Sequence, residues 1–515
     1  MRKLIIGLFA ILALLASIPL VLMATGTISS GSLRMILNVM TGMDGPTATA
    51  ESAEGLQLPP GFTLELYAGD LPRARFLRFT PGGDLLLSRP HSGDIMLLRR
   101  DADGNGQPDA VVTLISGLKR PLGMDIAGGY LYIAESHQIG RVPFDSATGK
   151  LAGAYEPLVE GFTDDGNHGS KTLAFGPDGL LYLAQGSTCN VCVEEDERRA
   201  TMMRFQPDGS GGTIIATGLR NSVGFDWAPW NGELYATDNG RDLLGDDFPP
   251  CELNLIEEGG FYGWPFFNGA NLPDPDMGED PLAGQREPTA PAHGFRAHNA
   301  PLGIAFIDNA GWPAGYQRTA LVALHGSWNR SVPDGYKVVS LHWTDRGIEQ
   351  RDFLTGFNRD GEISGRPVDV AQGPDGFIYI SDDYAGAIYR VSPGESGADW
   401  SPPAAAPAAS RLDAKPPAWL AGADLPALAK RGEQLYLYYE CANCHESGEN
   451  PKRLTGLADR LGYNAIIDVL KAPRSPMPLY PLSETELREL AVYLLHRHGA
   501  SPPGAPAPPA AGGAP

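Results

Sequence analysis

Six times between Leu58 and Pro393 the chain repeats one phrase: an apolar residue, a Pro-Asp/Gly-Gly turn, then a short strand expected to alternate. The copies are Phe79-Thr80-Pro81-Gly82-Gly83 before Leu85–Ser88, Gly128-Gly129 before Leu131–Ala134, and Phe175-Gly176-Pro177-Asp178-Gly179 before Leu181–Ala184. They continue with Trp227-Ala228-Pro229-Trp230-Asn231-Gly232 before Leu234–Thr237, a degenerate copy at Ala320–Leu324, and Gly373-Pro374-Asp375-Gly376 before Ile378–Ser381. Asp-Gly and Asn-Gly pairs admit the positive φ that tight hairpins require. Apart from one wide gap, the strand starts lie about 50 residues apart, the spacing of blade repeats. Six copies predict a six-bladed all-β propeller over residues 58–393, with Phe62–Ala68 pairing beside Ala387–Val391 to close the ring. The wide gap, between the fourth and fifth copies, holds a Pro/Gly-rich insert around Asn271–Leu302, expected to cover the mouth.

The flanking segments make the chain multidomain. Arg2 and Lys3 precede an apolar run from Leu4 to Ala24, long enough to cross a bilayer despite Pro19. Positive residues on its short side keep that end cytoplasmic. Residues 1–25 therefore read as a signal anchor or signal peptide, with the uncleaved anchor preferred. The expected location is the periplasmic side of the cytoplasmic membrane, held by residues 4–24. Residues 26–57 read as a tether, 394–417 as a Pro/Ala-rich linker, 418–498 as a small all-α domain, and 499–515 as a tail with too few apolar side chains to pack. Acidic side chains number 61 against 40 basic ones, a net charge of −21. Nucleic acid, which is bound mainly through Lys and Arg on phosphates, is not an expected partner.

The all-α domain carries Cys441-Ala442-Asn443-Cys444-His445. Two thiols two residues apart and an adjacent imidazole are what one covalent haem c needs: two thioethers and an axial iron ligand. Zinc would want further Cys or His at matched spacing, and none follow. Asp424 can cap a helix leading to the cysteines, and Ser483 with Glu486 forms a capping box at the head of a second helix. Two such helices crossing with haem between them resemble a small class I cytochrome c. That resemblance implies Met477, inside Ser475-Pro476-Met477-Pro478, as the second iron ligand; a gap-filling Met is the plainer alternative. His496 and His498 are rival ligands read as solvated. Cys189, Cys192 and Cys251 remain: Cys189 could close a tight loop with Cys192, or Cys251 could pair with either, and the sequence does not choose.

Polar phrases cluster beside the repeat signals: Asn167-His168-Gly169-Ser170-Lys171, Arg220-Asn221-Ser222-Val223-Gly224, Asp238-Asn239-Gly240-Arg241-Asp242 and Gly365-Arg366-Pro367-Val368-Asp369. With Gly259-Gly260-Phe261-Tyr262-Gly263-Trp264-Pro265 and His325-Gly326-Ser327-Trp328-Asn329-Arg330, they resemble the glucose/sorbosone dehydrogenase family, over about Leu58–Val391. That resemblance implies a propeller that oxidises sugars with pyrroloquinoline quinone (PQQ). His168 would be the general base, at a pKa near neutral. Arg220 would stabilise negative charge on the quinone, Asn221 would hydrogen-bond the cofactor, and Arg366 would pair with a cofactor carboxylate. Backbone carbonyls near Gly240 and Arg241 would hold Ca²⁺. The chain departs from the family pattern at three places. Asn167 replaces an Asp, Val368 replaces a second Arg, and His325 stands where the family has a cofactor-binding Lys, with Arg330 or Lys337 as substitutes.

The function these readings predict is oxidation of an aldose, or a related sugar or aldehyde, with electrons passing to the fused haem and on to a respiratory acceptor. A metal-dependent propeller lactonase and a non-catalytic binding propeller with a cytochrome relay are the rival classes. Separately, Asp101-Ala102-Asp103-Gly104-Asn105-Gly106 has calcium-loop spacing. The closing Glu is replaced by Val112, so a solvated hairpin is preferred there.

Overall fold

The computed structural model describes residues 45, 47–307, 312–313, 315–345, 347–394, 417–420, 422–439, 441, 445, 454, 457, 461–471, 480 and 482–498. The chain divides into two compact units, Met1–Ser401 and Pro402–Pro515.

The first unit is a six-bladed propeller. Its six innermost strands are Leu77–Phe79, Met124–Ala127, Lys171–Phe175, Ser222–Trp227, Pro301–Phe306 and Pro367–Gln372, and each starts an antiparallel four-stranded blade. The repeated phrase marks the hairpin between the first and second strand of a blade. In blade 6, Phe62–Ala68 pairs outside Ala387–Pro393, Phe62 opposite Pro393 and Leu64 opposite Val391, so the N-terminal strand closes the ring as expected. The wide gap is an insertion and not a missing blade. It contributes Gly260–Phe261, which adds in parallel to the outer strand of blade 3, and His293–Phe295, the outer strand of blade 4.

Strand side chains do not alternate apolar-in and polar-out, because both faces of each blade are covered by neighbouring blades. Leu85 and Leu87 pack toward blade 6 with Tyr379 and Ile388, while Leu86 between them packs toward blade 2 with Leu131 and Ile133. The period of two is kept, and it sorts residues between two dry interfaces.

At the axis the innermost strands meet closely. Phe76, Leu122, Val223, Leu302 and Val368 form one buried apolar cluster drawn from five of the six blades. Glycine follows three of these residues, and it is there for space. A Cβ on Gly123 would lie 2.2 Å from the Leu173 nitrogen, one on Gly224 2.2 Å from the Leu302 oxygen, and one on Gly303 2.0 Å from the Asp369 carboxylate. Carboxylates bind alternate pairs of blades together. The backbone N–H groups of Phe175, Phe306 and Leu77 donate to Asp125, Asp226 and Asp369, at 2.7, 2.7 and 2.8 Å. Below this cluster, where the innermost strands end, lies a cavity of about 740 Å³ lined by Arg78, Asp125, Phe175, Trp227 and Phe306 among others.

The second unit contains helices Leu425–Tyr438, Tyr463–Lys471 and Glu484–His498 around Tyr436, Ile466, Leu487, Leu490 and Leu494. Both predicted caps form. Asp424 accepts from the Ala427 N–H at 3.2 Å, and Ser483 and Glu486 bond reciprocally at 2.7 and 3.3 Å. Gly432 lets the first and last helices touch, since a Cβ there would sit 2.1 Å from the Glu489 carbonyl oxygen. No helix among the described residues is long and apolar enough to cross a membrane, and the apolar run 4–24 lies outside them.

Gly224→Ala puts a methyl group against unyielding backbone, an overpacking that typically costs about 1–3 kcal/mol. The thermal midpoint of the propeller should fall by several degrees; an unchanged midpoint would mean the axis has slack that this packing denies.

Candidate active site at the propeller mouth

The predicted polar residues gather at the other end of the axis, on loops that precede innermost strands or follow second strands. His168 precedes the innermost strand of blade 3, and Arg220 and Asn221 precede that of blade 4. Asn239 to Asp242 follow the second strand of blade 4, His325 follows that of blade 5, and Arg366 precedes the innermost strand of blade 6.

His168, Asn221 and the Arg220 backbone converge on Gly186. A Cβ at Gly186 would lie 2.5 Å from the His168 Cβ, 2.7 Å from the Asn221 Oδ1 and 3.3 Å from the Arg220 carbonyl oxygen. The imidazole is half-buried, with Nδ1 2.9 Å from the Ser187 hydroxyl. Burial, then the positive charge of Arg220, push its pKa down to about 3. This corrects the expectation of a near-neutral value. The ring is a neutral base over the whole physiological range, made so by desolvation and a neighbouring cation.

Arg220 is buried and gives every N–H to the protein. Nε donates to the Asn190 carbonyl at 3.0 Å and Nη1 to the carbonyls of Asn239 and Gly240 at 3.1 and 2.9 Å. Nη2 donates to the Asn190 Oδ1 at 2.8 Å and the Asp242 carboxylate at 3.0 Å. With five donors committed, it acts on the mouth through its charge rather than through a spare hydrogen bond. Its backbone N–H and that of Asn221 are held by Asp238 at 2.9 and 2.6 Å.

The loop carrying His168 hangs from two buried cations that use carbonyl oxygens as partners. Arg199 donates to the carbonyls of Gly186, Thr163, His168 and Ser187 at 2.6, 2.8, 3.2 and 2.8 Å. Lys171, fully buried, reaches the carbonyls of Ser136 and Gly169 at 2.5 and 3.2 Å. Burial, then the charge of Arg199, lower its pKa to about 7.

Across the mouth, His325 Nε2 lies 2.9 Å from Asp383, which also pairs with Arg75 at 2.7 Å. Burial and the nearby Arg366 push His325 down to about 4. Arg366 donates to the carbonyls of His325 and Gly326, both at 3.2 Å. Among the described residues no carboxylate lies within ion-pair distance of Arg366. Two residues named as Lys substitutes face elsewhere. Arg330 spends its guanidinium on the carbonyls of Asp246, Ala297 and Val332 and on Asp247. Lys337 pairs with Asp352 on the next strand of its own blade. Val368, in place of a second Arg, is part of the apolar floor.

Gly240 offers its carbonyl to Arg220, so a calcium ion bound there would share that oxygen. The Arg241 side chain turns away to Asp274 and Asp276, at 2.6 and 2.8 Å, pinning the insert to this loop. Asp101, Asp103 and Asp109 do bring their carboxylates together, on a hairpin of blade 1 where Asp101 also pairs with Arg390. Cys189 and Cys192 are disulfide-bonded and Cys251 is a buried thiol. Cys444 and Met477 lie outside the described residues; Cys441 is half-buried against the helical core, and the His445 N–H donates to its carbonyl at 3.1 Å. His496 is exposed, whereas His498 is half-buried beside the rings of Tyr436 and Tyr493.

Nothing in the sequence alone marks Gly186, Ser187, Asn190 or Arg199 as site residues. The cysteine pair Cys189 and Cys192 is the sequence signal near them; the carbonyl-seeking Arg199 leaves none.

Residues 135–390 match the family model described as Glucose / Sorbosone dehydrogenase. The propeller is similar to that family. An uncharacterized protein of Borreliella burgdorferi is 29% identical over 361 residues, covering 67% of this chain and 92% of its own. The aldose sugar dehydrogenase YliI of Escherichia coli is 26% identical, over 44% of this chain and 61% of its own. A PQQ-dependent pyranose dehydrogenase of Coprinopsis cinerea is 33% identical, over 64% of this chain and 54% of its own. The fold is shared with the PQQ domain of the Coprinopsis cinerea pyranose dehydrogenase in its holo form. That domain has a TM-score of 0.54 at 21% identity, over 67% of this chain and 98% of the domain. A calcium structure of a Trichoderma reesei carbohydrate-active enzyme has a TM-score of 0.56 at 22% identity, over 66% and 97%.

PQQ is a planar quinone bearing carboxylates. A half-buried Arg366 that makes no ion-pair contact among the described residues, and a mouth whose histidines are held neutral beside arginines, fit such an anion.

Gly186→Ala should lower turnover at this mouth at least tenfold while leaving the fold intact, because the added methyl displaces His168 and Asn221 together. Undiminished turnover with unchanged melting would mean that these two side chains do not meet at a working site.

Proposed function

We propose that this protein is a PQQ-dependent dehydrogenase of an aldose or a related sugar or aldehyde, and that it passes electrons to a haem c in the same chain. The observation that carries the reading is His168. It is an imidazole kept neutral by burial, beside the fixed charge of Arg220, at the mouth of a propeller similar to the glucose/sorbosone dehydrogenases.

Bound PQQ supplies a two-electron hydride acceptor. Arg366 would hold a carboxylate of the cofactor, and Asn221 would orient it. His168 takes the proton of the substrate hydroxyl as hydride leaves the adjoining carbon. Arg220 stabilises negative charge without reorganising, since its frame of acceptors is already complete. The apolar floor of Phe76, Leu122, Val223, Leu302 and Val368 closes the site from the axial cavity, keeping the chemistry on one face. Calcium would sit near the Gly240 carbonyl.

Haem would attach through Cys441 and Cys444, with His445 and Met477 to hold its iron, and would supply a one-electron acceptor. Support comes from the attachment motif and from the His445 N–H, which donates to the Cys441 carbonyl. Residues 4–24 hold the protein on the periplasmic side of the cytoplasmic membrane, in keeping with the Cys189–Cys192 disulfide. A respiratory electron carrier would be the partner that takes electrons onward.

Purified protein reconstituted with PQQ and Ca²⁺ should reduce its haem when given an aldose or aldehyde, read by haem absorbance. His168→Ala should retain haem and lose about 10²-fold or more of that rate. No haem reduction by any substrate with quinone bound would sink the reading.

The pH dependence has a definite sign. His168 works as the unprotonated base, and its pKa is depressed to about 3, so acid inactivation through this group is postponed. The acid limb of kcat/KM should lie well below the ordinary histidine value of about 6.5. A limb at 6.5 or above would contradict a desolvated His168.

A further inference from the structure

Between the base and the cation lies a four-residue loop, Cys189-Asn190-Val191-Cys192, closed by the disulfide. Its two leading residues each hold one half of the site.

Cys189 acts on His168 through Ser187. A serine hydroxyl has one hydrogen, and that of Ser187 is donated to the Cys189 carbonyl at 2.7 Å. The hydroxyl oxygen must therefore accept from Nδ1 of His168, 2.9 Å away. That fixes the tautomer: Nδ1 carries the hydrogen and Nε2 the lone pair, as a base acting through Nε2 requires. The loop is also tied to the histidine backbone, because the His168 N–H donates to the Ser187 carbonyl at 3.0 Å and the Asn167 N–H to the Thr188 carbonyl at 2.7 Å.

Asn190 acts on Arg220. Its carbonyl accepts from Arg220 Nε at 3.0 Å and from the Trp264 indole at 3.2 Å. Its Oδ1 accepts from Arg220 Nη2 and from the Asp242 N–H, both at 2.8 Å, and its amide nitrogen donates to the Asp242 carbonyl at 3.1 Å. Three of Asn190's polar groups are thereby committed, and two of the five Arg220 donors end on this residue. Glu194, just past the disulfide, ties the loop back to the Thr188 N–H and hydroxyl, both at 2.7 Å.

We propose that the disulfide-closed loop Cys189–Cys192 is a positioning element for both working residues. It sets the tautomer of His168 through Ser187 and frames the guanidinium of Arg220 through Asn190. Without the cross-link, Cys189 and Asn190 sit on a half-exposed loop, and both catalytic geometries loosen together. The role in catalysis rests on the dehydrogenase reading, whereas the hydrogen-bond geometry does not.

The test begins on the full-length protein without PQQ, labelled with ¹⁵N. The ring nitrogens of His168, assigned by their loss in His168→Gln, report tautomer and protonation. In the oxidised protein His168 should be the Nδ1–H tautomer and unprotonated at pH 5. The Cys189→Ala/Cys192→Ala variant should lose the single tautomer and titrate within about one unit of 6.5. So should wild type treated with dithiothreitol, which gives the disulfide two electrons and two protons and leaves two thiols. Reduction of wild type covers the case in which the double variant does not fold. Ser187→Ala, with the loop still closed, should reproduce the change in His168. In protein loaded with PQQ and Ca²⁺, opening the loop should lower kcat at least tenfold, change KM less than about threefold, and move the acid limb upward. An unchanged tautomer and titration after the loop is opened would overturn the proposal, even if wild type turns over sugars normally. A wild type that binds PQQ yet oxidises no sugar would instead remove the dehydrogenase reading, and the nitrogen spectra would still decide what the loop does.

Discussion

Six strands cannot start around one axis unless neighbouring backbones nearly touch, and everything at the mouth follows from how this chain meets that condition. Gly123, Gly224 and Gly303 stand where a methyl group would strike the next strand's backbone or its Asp369 carboxylate. Asp125, Asp226 and Asp369 then use carboxylate oxygens to bind N–H groups that the close approach leaves between blades. The apolar residues beside these glycines fill what space remains. The result is a narrow, closed floor with six loops fanning out above it, so residues far apart in sequence are brought to a common point.

Above that floor the unusual feature is how positive charge is handled. Arg199, Lys171 and Arg220 are buried with few or no carboxylates to neutralise them, and their donors go to carbonyl oxygens instead. A buried cation satisfied by dipoles keeps a net positive field, and that field acts on its neighbours. Burial first, and that field second, hold His168 neutral and lower the pKa of Lys171, and the field favours an anion at the mouth. The same groups thus fix the loops, tune the base and prepare the site for a carboxylate-bearing cofactor.

The fold was largely legible because its signals are local: hairpin turns at a regular spacing, capping residues, and a strand at each end of one unit to close the ring. His168, Arg220 and Arg366 were legible as phrases beside those turns. What the sequence withheld is non-local. Asn190 is remote from Arg220 along the chain, and only the ring brings its carbonyl to the guanidinium. Arg330 and Lys337 looked able to replace a missing lysine by type and neighbourhood, but Asp247 and Asp352 claim them. The near-neutral histidine expected at 168 failed for the same reason, since burial and a neighbouring cation belong to the folded state alone. Leu122-Gly123, Val223-Gly224 and Leu302-Gly303 form a second repeat, visible in hindsight, whose meaning is the width of the axis.

The concave regions among the described residues of the propeller include the mouth and the 740 Å³ cavity at the opposite end of the axis. An X-ray structure of crystals soaked with PQQ and Ca²⁺ separates them directly. The quinone should appear at the mouth, within reach of His168 and with a carboxylate on Arg366. Density for it in the far cavity against Arg78, or none at the mouth at saturating quinone, would contradict the account.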